Sequence, residues 1–310
     1  MKNYASLTAA LLGVVSLVMP ATSTAQTRTR NHNSLSINMQ GDGETCADLK
    51  VTSDGQLAQA ADKFTLSRGD ASMIELNAAD HGVIKVRGWN QPGYSVEACK
   101  IAVAEDRASA ERTLSAMSVS HSGGRISFTG PQNDSNNWQV YFIVHAPANA
   151  ALDLQANNGP ISVANVTGNI KARTVNGPVS IKDCAGTIDA QASNGPISFT
   201  GDTGEVKLHA ENGPISVKVS KDIWTGSLLD ARTSNGPLSL SLPSAFHSGV
   251  RVEANGGAPM SCRHDACTSA FRNTNGDKRT MQLNGTSETI RVSTTNGPIS
   301  VGSSDKKALL

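Results

Sequence analysis

The sequence predicts an all-β fold: a flattened parallel β-solenoid with about 18 residues and two strands per coil, preceded by an N-terminal β-rich cap that contains one short helix. Three observations carry that prediction. The tripeptide Asn-Gly-Pro returns at Asn158, Asn176, Asn194, Asn212, Asn235 and Asn296, and the first four asparagines are 18 residues apart each time. Each copy leads into an alternating apolar–polar stretch, as in Ile161-Ser162-Val163 and Ile215-Ser216-Val217. A second alternating stretch opens at a glycine half a period later, as in Gly168-Asn169-Ile170-Lys171-Ala172 and Gly186-Thr187-Ile188-Asp189-Ala190. A fixed period marks stacked repeats, and alternation with period two marks a strand with one buried face.

Each unit therefore reads as strand, turn, strand, turn. Equivalent strands of successive units are expected to stack in parallel about 4.8 Å apart. Ile161, Val163, Ile170 and Ala172 then point between two sheets, and Val179, Ile181, Ile188 and Ala190 form the next layer. Each large aliphatic side chain buried this way contributes roughly 1.5–3 kcal/mol. No unit hides its apolar face alone, so stability must come from stacking. The corner residues are expected to supply left-handed backbone, which asparagine tolerates and glycine adopts freely. Proline has no N–H to give to a ladder but suits the first position of a strand. The asparagines are also expected in one line, either bonding amide to amide from coil to coil or present only for their backbone geometry. A left-handed hexapeptide helix shares the period, but its rule of a small or aliphatic residue at every sixth position fails at Ile161, Thr167 and Arg173.

The same period places chemistry. Lys171, Asp189 and Lys207 must stack on the outer face of the second sheet with alternating sign, and an ion pair between neighbours is expected there. Ser162, Ser180, Ser198, Ser216, Ser239 and Ser300 fall at one place in every copy. They form a candidate interaction stripe of small hydroxyls on the outer face of the first sheet.

The rest of the chain is organised around these repeats. Lys2, a short apolar run over residues 7–19, Pro20 and the small residues Ser23-Thr24-Ala25 read as a secretory signal over residues 1–25. Residues 26–148 read as the β-rich capping region, with strands at 64–66, 83–86, 96–98, 119–128 and 139–144 and a helix over 105–117. Such a cap would cover the open sheet edge that a solenoid leaves. The repeats occupy 149–302. A loop containing Trp224 bulges between Asn212 and Asn235, Asn255-Gly256-Gly257 is a degenerate copy, and a cysteine-containing insertion lies near 260–285. Residues 289–292 and 299–301 are expected to close the stack, and 303–310 to form a tail.

Export permits disulfides, and Cys262 with Cys267 and Cys46 with Cys99 are the expected pairs, leaving Cys184 over. Cys262, His264, Asp265 and Cys267 lack the second cysteine pair that a zinc site wants, so a disulfide is the better reading and no metal is expected. With 27 basic and 26 acidic residues the net charge is +1, which gives no electrostatic case for a nucleic-acid partner. No segment after the signal is apolar enough to span a membrane as a helix. Asp183, Asp189, Asp202, Glu205 and Glu211 fall in different columns, so no acid–base carboxylate pair is expected, and no nucleophile-elbow motif is present. No catalytic residue and no cofactor are expected.

The repeated "N-G-P-I-S-V … G-x-I-x-A" units resemble a bacterial putative adhesin family with β-strand repeats, a domain family of unknown function. The segment Gly124-Arg125-Ile126-Ser127-Phe128 after the helix, and Val144-His145-Ala146-Pro147 entering the repeats, are similar too. Proline after Asn-Gly departs from that family, which more often has a polar residue there. The resemblance implies an exported β-solenoid and no particular activity. A regular surface with no reactive cluster points to a non-enzymatic protein of the periplasm or cell surface, serving in adhesion, envelope interaction or scaffolding. Its partner would be an envelope protein or a glycan, and no oligomeric state follows. The runner-up reading is a carbohydrate-binding or carbohydrate-active solenoid.

Overall fold

The computed structural model describes residues 35–39, 43–131, 138–285 and 287–305. The secretory signal over 1–25, the first residues of the capping region and residues 306–310 of the tail lie outside the described residues. What is described is a stack of nine two-strand rungs whose strands build two facing, mostly parallel sheets of 12 and 11 strands. The repeat rungs follow the expected period. The longer sheet receives Ala151–Ala156, Asn169–Asn176, Thr187–Asn194, Glu205–Asn212 and Leu228–Asn235 in succession. The shorter sheet receives Ile161–Ala164, Val179–Lys182, Ile197–Gly201, Ile215–Val219 and Leu238–Leu242.

The register is set by the period. Ile161 faces Val179, Val179 faces Ile197, and Ile197 faces Ile215. All four are at most 1% exposed, so they form one interior column. Opposite them run Ile170, Ile188, Val206 and Leu229, also in register and buried.

The corners hold for a reason other than the expected one. The corner glycines 159, 177, 195, 213 and 236 and the six ladder asparagines do not have left-handed φ. Glycine is required by close approach. A Cβ on Gly195 would lie 2.0 Å from the carbonyl oxygen of Gly177, and one on Gly213 would lie 2.2 Å from that of Gly195. Beside them the asparagine amides form an unbroken ladder. Asn176 Nδ2 donates to Asn158 Oδ1 at 2.8 Å, Asn194 to Asn176 at 2.9 Å, Asn212 to Asn194 at 3.2 Å, Asn235 to Asn212 at 3.0 Å and Asn296 to Asn235 at 2.9 Å. The prolines use only their acceptors: Ile161 N–H donates to Pro178 O, Val179 to Pro196 and Ile197 to Pro214. Buried threonines satisfy some of the crowded glycine carbonyls, with Thr174 Oγ1 donating to Gly159 O at 3.1 Å and Thr233 Oγ1 to Gly213 O at 2.9 Å.

The order of rungs in space departs from their order in the chain. The copy at Glu288–Asn296 and Ile299–Ser303 does not close the stack. It lies between Leu228–Asn235/Leu238–Leu242 and the degenerate copy at Gly249–Ala254/Met260–Cys262. A matching exchange occurs at the other end. Met73–Asn77/Gly82–Trp89 sits between Ala151–Ala156/Ile161–Ala164 and the outermost rung, Arg125–Thr129/Trp138–Pro147. The two sheets thus take in segments ahead of residue 149. The stretch expected as one strand over 119–128 is a hairpin, Ser118–Ser122 against Arg125–Thr129, with Gly123 at φ 54° in its turn. The helix runs Arg107–Ser115, capped by the Asp106 side chain, which accepts from Ser109 N at 2.8 Å. Trp224 does not bulge outward. It is 3% exposed and packs against Phe199 with ring centroids 6.1 Å apart.

At the N-terminal end of the stack an arm crosses the outside of the shorter sheet. It comprises the 3-10 turn Cys46–Asp48 and the paired strands Leu35–Met39 and Leu49–Ser53. Cys46 is joined to Cys99, and Cys46 N donates to Glu97 Oε2 at 3.0 Å. Ile101, Val103 and Ile143, buried yet outside the central core, lie on this covered part of the sheet. Cys262 is joined to Cys267, and Cys184 is a buried free thiol whose pKa burial raises to about 11.

Replacing Asn194 by alanine removes two rungs of the amide ladder and is expected to cost about 1–3 kcal/mol in urea unfolding, against about half that for Asn158→Ala at the ladder's end. Gly195→Ala is expected to cost about 3 kcal/mol or more, because backbone lies where its methyl must go. Removing the Cys46–Cys99 link with paired serines is expected to cost about 4 kcal/mol, and removing Cys262–Cys267 about 2, since the second closes a much shorter loop.

Candidate functional site

The outer faces of the two sheets carry what chemistry the fold displays. On the shorter sheet Ser162, Ser180, Ser198, Ser216, Ser239 and Ser300 stand in register, each facing the next across one strand spacing. The column runs one rung further, because Ser261 faces Ser300. Sequence reading missed Ser261, since its copy reads Asn255-Gly256-Gly257-Ala258-Pro259, with two residues inserted before the proline of Asn-Gly-Pro. At the other end Ser162 faces Lys85, where the arm begins. Lys85 Nζ donates to Gly43 O at 3.0 Å. Glu44 bonds both Arg87 and His145, and Trp89 stacks on His145 with centroids 5.2 Å apart. The hydroxyl column thus ends against a charged, disulfide-anchored clamp.

On the longer sheet the expected stacking of Lys171, Asp189 and Lys207 is present, but the ion pairs between them are not. Lys207 instead pairs with Glu205 on its own strand at 3.0 Å, and Asp189 accepts from Gln191 Nε2 at 3.0 Å. On an exposed strand both kinds of neighbour lie within reach, and the gain from either pairing is small. The hydrogen bond to Glu205 raises the Lys207 pKa, with the charges of Asp189 and Asp230 adding to it. The same column continues through Asp230, Arg291 and Arg251, brought into line by the inserted rung.

That end of the face holds a concavity of about 540 Å³ that includes His209, Arg232, Arg251, Glu253, Glu288 and Arg291. Its charges neutralise one another. Arg251 bonds Glu253 at 2.6 Å and Glu288 at 3.0 Å, Arg291 bonds Glu288 at 3.1 Å, and Arg232 bonds Asp230. Burial pushes the Glu253 carboxyl up, but hydrogen bonds from Arg251 and Lys278 outweigh it and hold the group below its ordinary value. A general acid for glycoside cleavage needs the opposite shift. Asp202 is paired with Lys221 at 2.5 Å, and Asp183 occupies a left-handed turn with φ 51°.

The cysteine-containing loop is closed to metal. Both thiols are in the disulfide, while His264 is 4% exposed and spends both ring nitrogens on backbone: Nε2 faces Pro243 O at 2.7 Å, and Nδ1 accepts from Ala266 N at 3.1 Å. Among the described residues no group of three or more His, Cys, Asp or Glu side chains is arranged to hold a metal ion, and no helix is long and apolar enough to cross a membrane.

No family model matches the chain, and no curated protein matches it. Similar solved structures include a putative cell adhesion protein from Clostridium sporogenes, at 11% identity and TM-score 0.32 over 79% of this chain and 100% of the other. A putative adhesin from Bacteroides fragilis is 8% identical, with TM-score 0.35 over 79% and 97%. A putative lipid binding protein from Parabacteroides distasonis is 10% identical, with TM-score 0.29 over 82% and 96%. At these identities and scores none of their descriptions transfers to this chain.

The Glu44 clamp has a pH consequence. The hydrogen bond with His145, opposed by partial burial and aided by the charge of Arg87, holds the Glu44 carboxyl below its ordinary value of 4.5. A depressed carboxyl gives stability above its unfolded pKa and loses it as pH falls through the folded value. Amide exchange over residues 43–53 is therefore expected to speed up below about pH 4.5, and Glu44→Gln is expected to flatten that acid dependence.

Proposed function

We propose that this chain is an exported, non-enzymatic binding or scaffolding protein of the bacterial envelope, working through the outer faces of its solenoid in the manner of an adhesin. One observation carries the reading: each repeat rung contributes the same small hydroxyl to one straight column on the outer face of the shorter sheet. A partner laid along that column meets the same chemistry at every step of about 4.8 Å, which suits an extended, repetitive surface. The disulfides support an extracytoplasmic setting, where such bonds persist. The Glu253 carboxyl of the longer sheet's concavity supports a binding role over a hydrolytic one, because hydrogen bonds from Arg251 and Lys278 hold it below its ordinary value.

A carbohydrate-binding role is the second reading, favoured by the polar concavity around Arg251. Polysaccharide binding without turnover fits it, and turnover would overturn the non-enzymatic assignment.

The column is tested with Ser198→Glu combined with Ser216→Glu. The pair should leave thermal unfolding within about 1 kcal/mol of wild type, since both residues are exposed. It should cut retention on immobilised envelope fractions and glycan arrays about tenfold. Undiminished retention would move the contact surface elsewhere.

A further inference from the structure

The last strand of the longer sheet carries an inference that deepens the binding role and rests on it. The longer sheet extends two strands, Lys278–Leu283 and Phe271–Asn275, past its terminal rung strand Gly249–Ala254. The shorter sheet ends opposite with Met260–Cys262 and nothing beyond. The hairpin therefore reaches two strands past the last strand of the shorter sheet. Every residue of Phe271–Asn275 is exposed, and Phe271, at 65%, is the most exposed large apolar side chain among the described residues.

The backbone of this strand is half used. Asn275 pairs with Lys278 across a two-residue turn with Gly276 at φ 59°. In such a hairpin the pair flanking the turn exchanges both backbone bonds, and alternate residues follow suit. Phe271, Asn273 and Asn275 thus bond to the neighbouring strand. Arg272 and Thr274 turn their N–H and C=O groups to the open edge. Unpaired edges of this kind template the addition of another strand. Their side chains line a groove of about 170 Å³ with Met260, Cys262, Arg279 and Met281.

The charge of this edge selects the occupant. Arg272 is exposed and has no ion pair among the described residues, and Arg279 gives one guanidinium N–H to Ala258 O at 3.2 Å. The chain's own ends are poor candidates. Residues 26–34 carry Arg28 and Arg30, and residues 306–310 begin with Lys306 and Lys307. A second copy adding its own edge strand would bring another Arg272 to the same edge. We propose that Phe271–Asn275 is a docking strand that takes up an extended, acidic segment of a partner protein by β-strand addition. Backbone bonds go to Arg272 and Thr274, acidic side chains face Arg272 and Arg279, and an apolar side chain packs beside Phe271.

The test uses the full secreted chain and two labelled peptides, one alternating valine with glutamate and one alternating valine with lysine, read by fluorescence anisotropy. The glutamate peptide is expected to bind at least about tenfold more tightly than the lysine peptide. Thr274→Pro removes an edge N–H while leaving the bonds to the inner neighbour, and should weaken binding about tenfold or more. Arg272→Glu should reverse the preference between the peptides, which keeps the test decisive should the proline variant fail to fold. Bound peptide should slow amide exchange at Arg272 and Thr274. Equal affinity for both peptides, no reversal in Arg272→Glu, or self-association of the wild type that Thr274→Pro abolishes would each overturn the proposal. Intact retention on envelope fractions with no peptide binding overturns strand addition alone; peptide binding with no envelope retention overturns the hydroxyl-column reading alone.

Discussion

The structure depends on how closely one backbone can lie on the next at the Asn-Gly corner. Parallel strands stack about 4.8 Å apart, and at the corner the glycine carbonyl of one rung fills the place where a side chain of the next would start. A Cβ at Gly177, Gly195, Gly213, Gly236 or Gly297 would come within 2.4 Å of that oxygen. The asparagine ladder then fixes the same corner laterally, and the proline leaves only an acceptor to be matched. With the corner fixed, the strands on either side of it follow in register: the interior column of Ile161 and its equivalents, the serines between, and the charges on the opposite wall. A mismatch of one residue at a corner would turn each buried side chain outward.

This is also why so much of the fold was legible in the sequence. A period of 18 assigns vertical neighbours without any knowledge of coordinates, and Ile161, Val179, Ile197 and Ile215 fall where arithmetic puts them. What periodicity does not carry is an address. Copies that obey one pattern are interchangeable as stacking partners, so the sequence could not show that the Asn296 copy sits beside Asn235 while the intervening Asn255 copy is pushed to the outside. The degenerate copy keeps Asn255 and Pro259 but parts them by three residues; Pro259 O still accepts from Ile299 N–H, while the asparagine amide ladder stops at Asn296, which suits the end of a stack. At the Asn-Gly corners from Gly159 to Gly236 glycine was expected for the right position and the wrong reason, since its role there is proximity and not handedness.

The surface chemistry divides along the same line. The serine column came straight from the repeat. The charged concavity did not, because Asp230, Arg291 and Arg251 become neighbours only through the inserted rung. Asp189 and Lys207 show a further limit: register puts the two groups side by side, but each side chain took a partner two residues away on its own strand. The arm over the N-terminal rungs was equally hidden. Its anchor at Cys46–Cys99 could be read from composition and export, but the apolar patch of Ile101, Val103 and Ile143 that it shelters looks in sequence like ordinary core.

The interleaving of the ends changes what tension does to the molecule. A stack laid down in chain order can be peeled from either terminus, with each rung exposing the next and each step breaking one seam. Here the C-terminal copy is gripped on both sides, and the first copy after the arm is gripped likewise. A tug on either end must open two seams together, or drag an outer rung along with the inner one. At the N-terminal side the covalent bridge from Cys46 to Cys99 passes the load directly into a strand alongside the outermost rung. Such a molecule behaves under load less like a zipper than like a dovetailed joint.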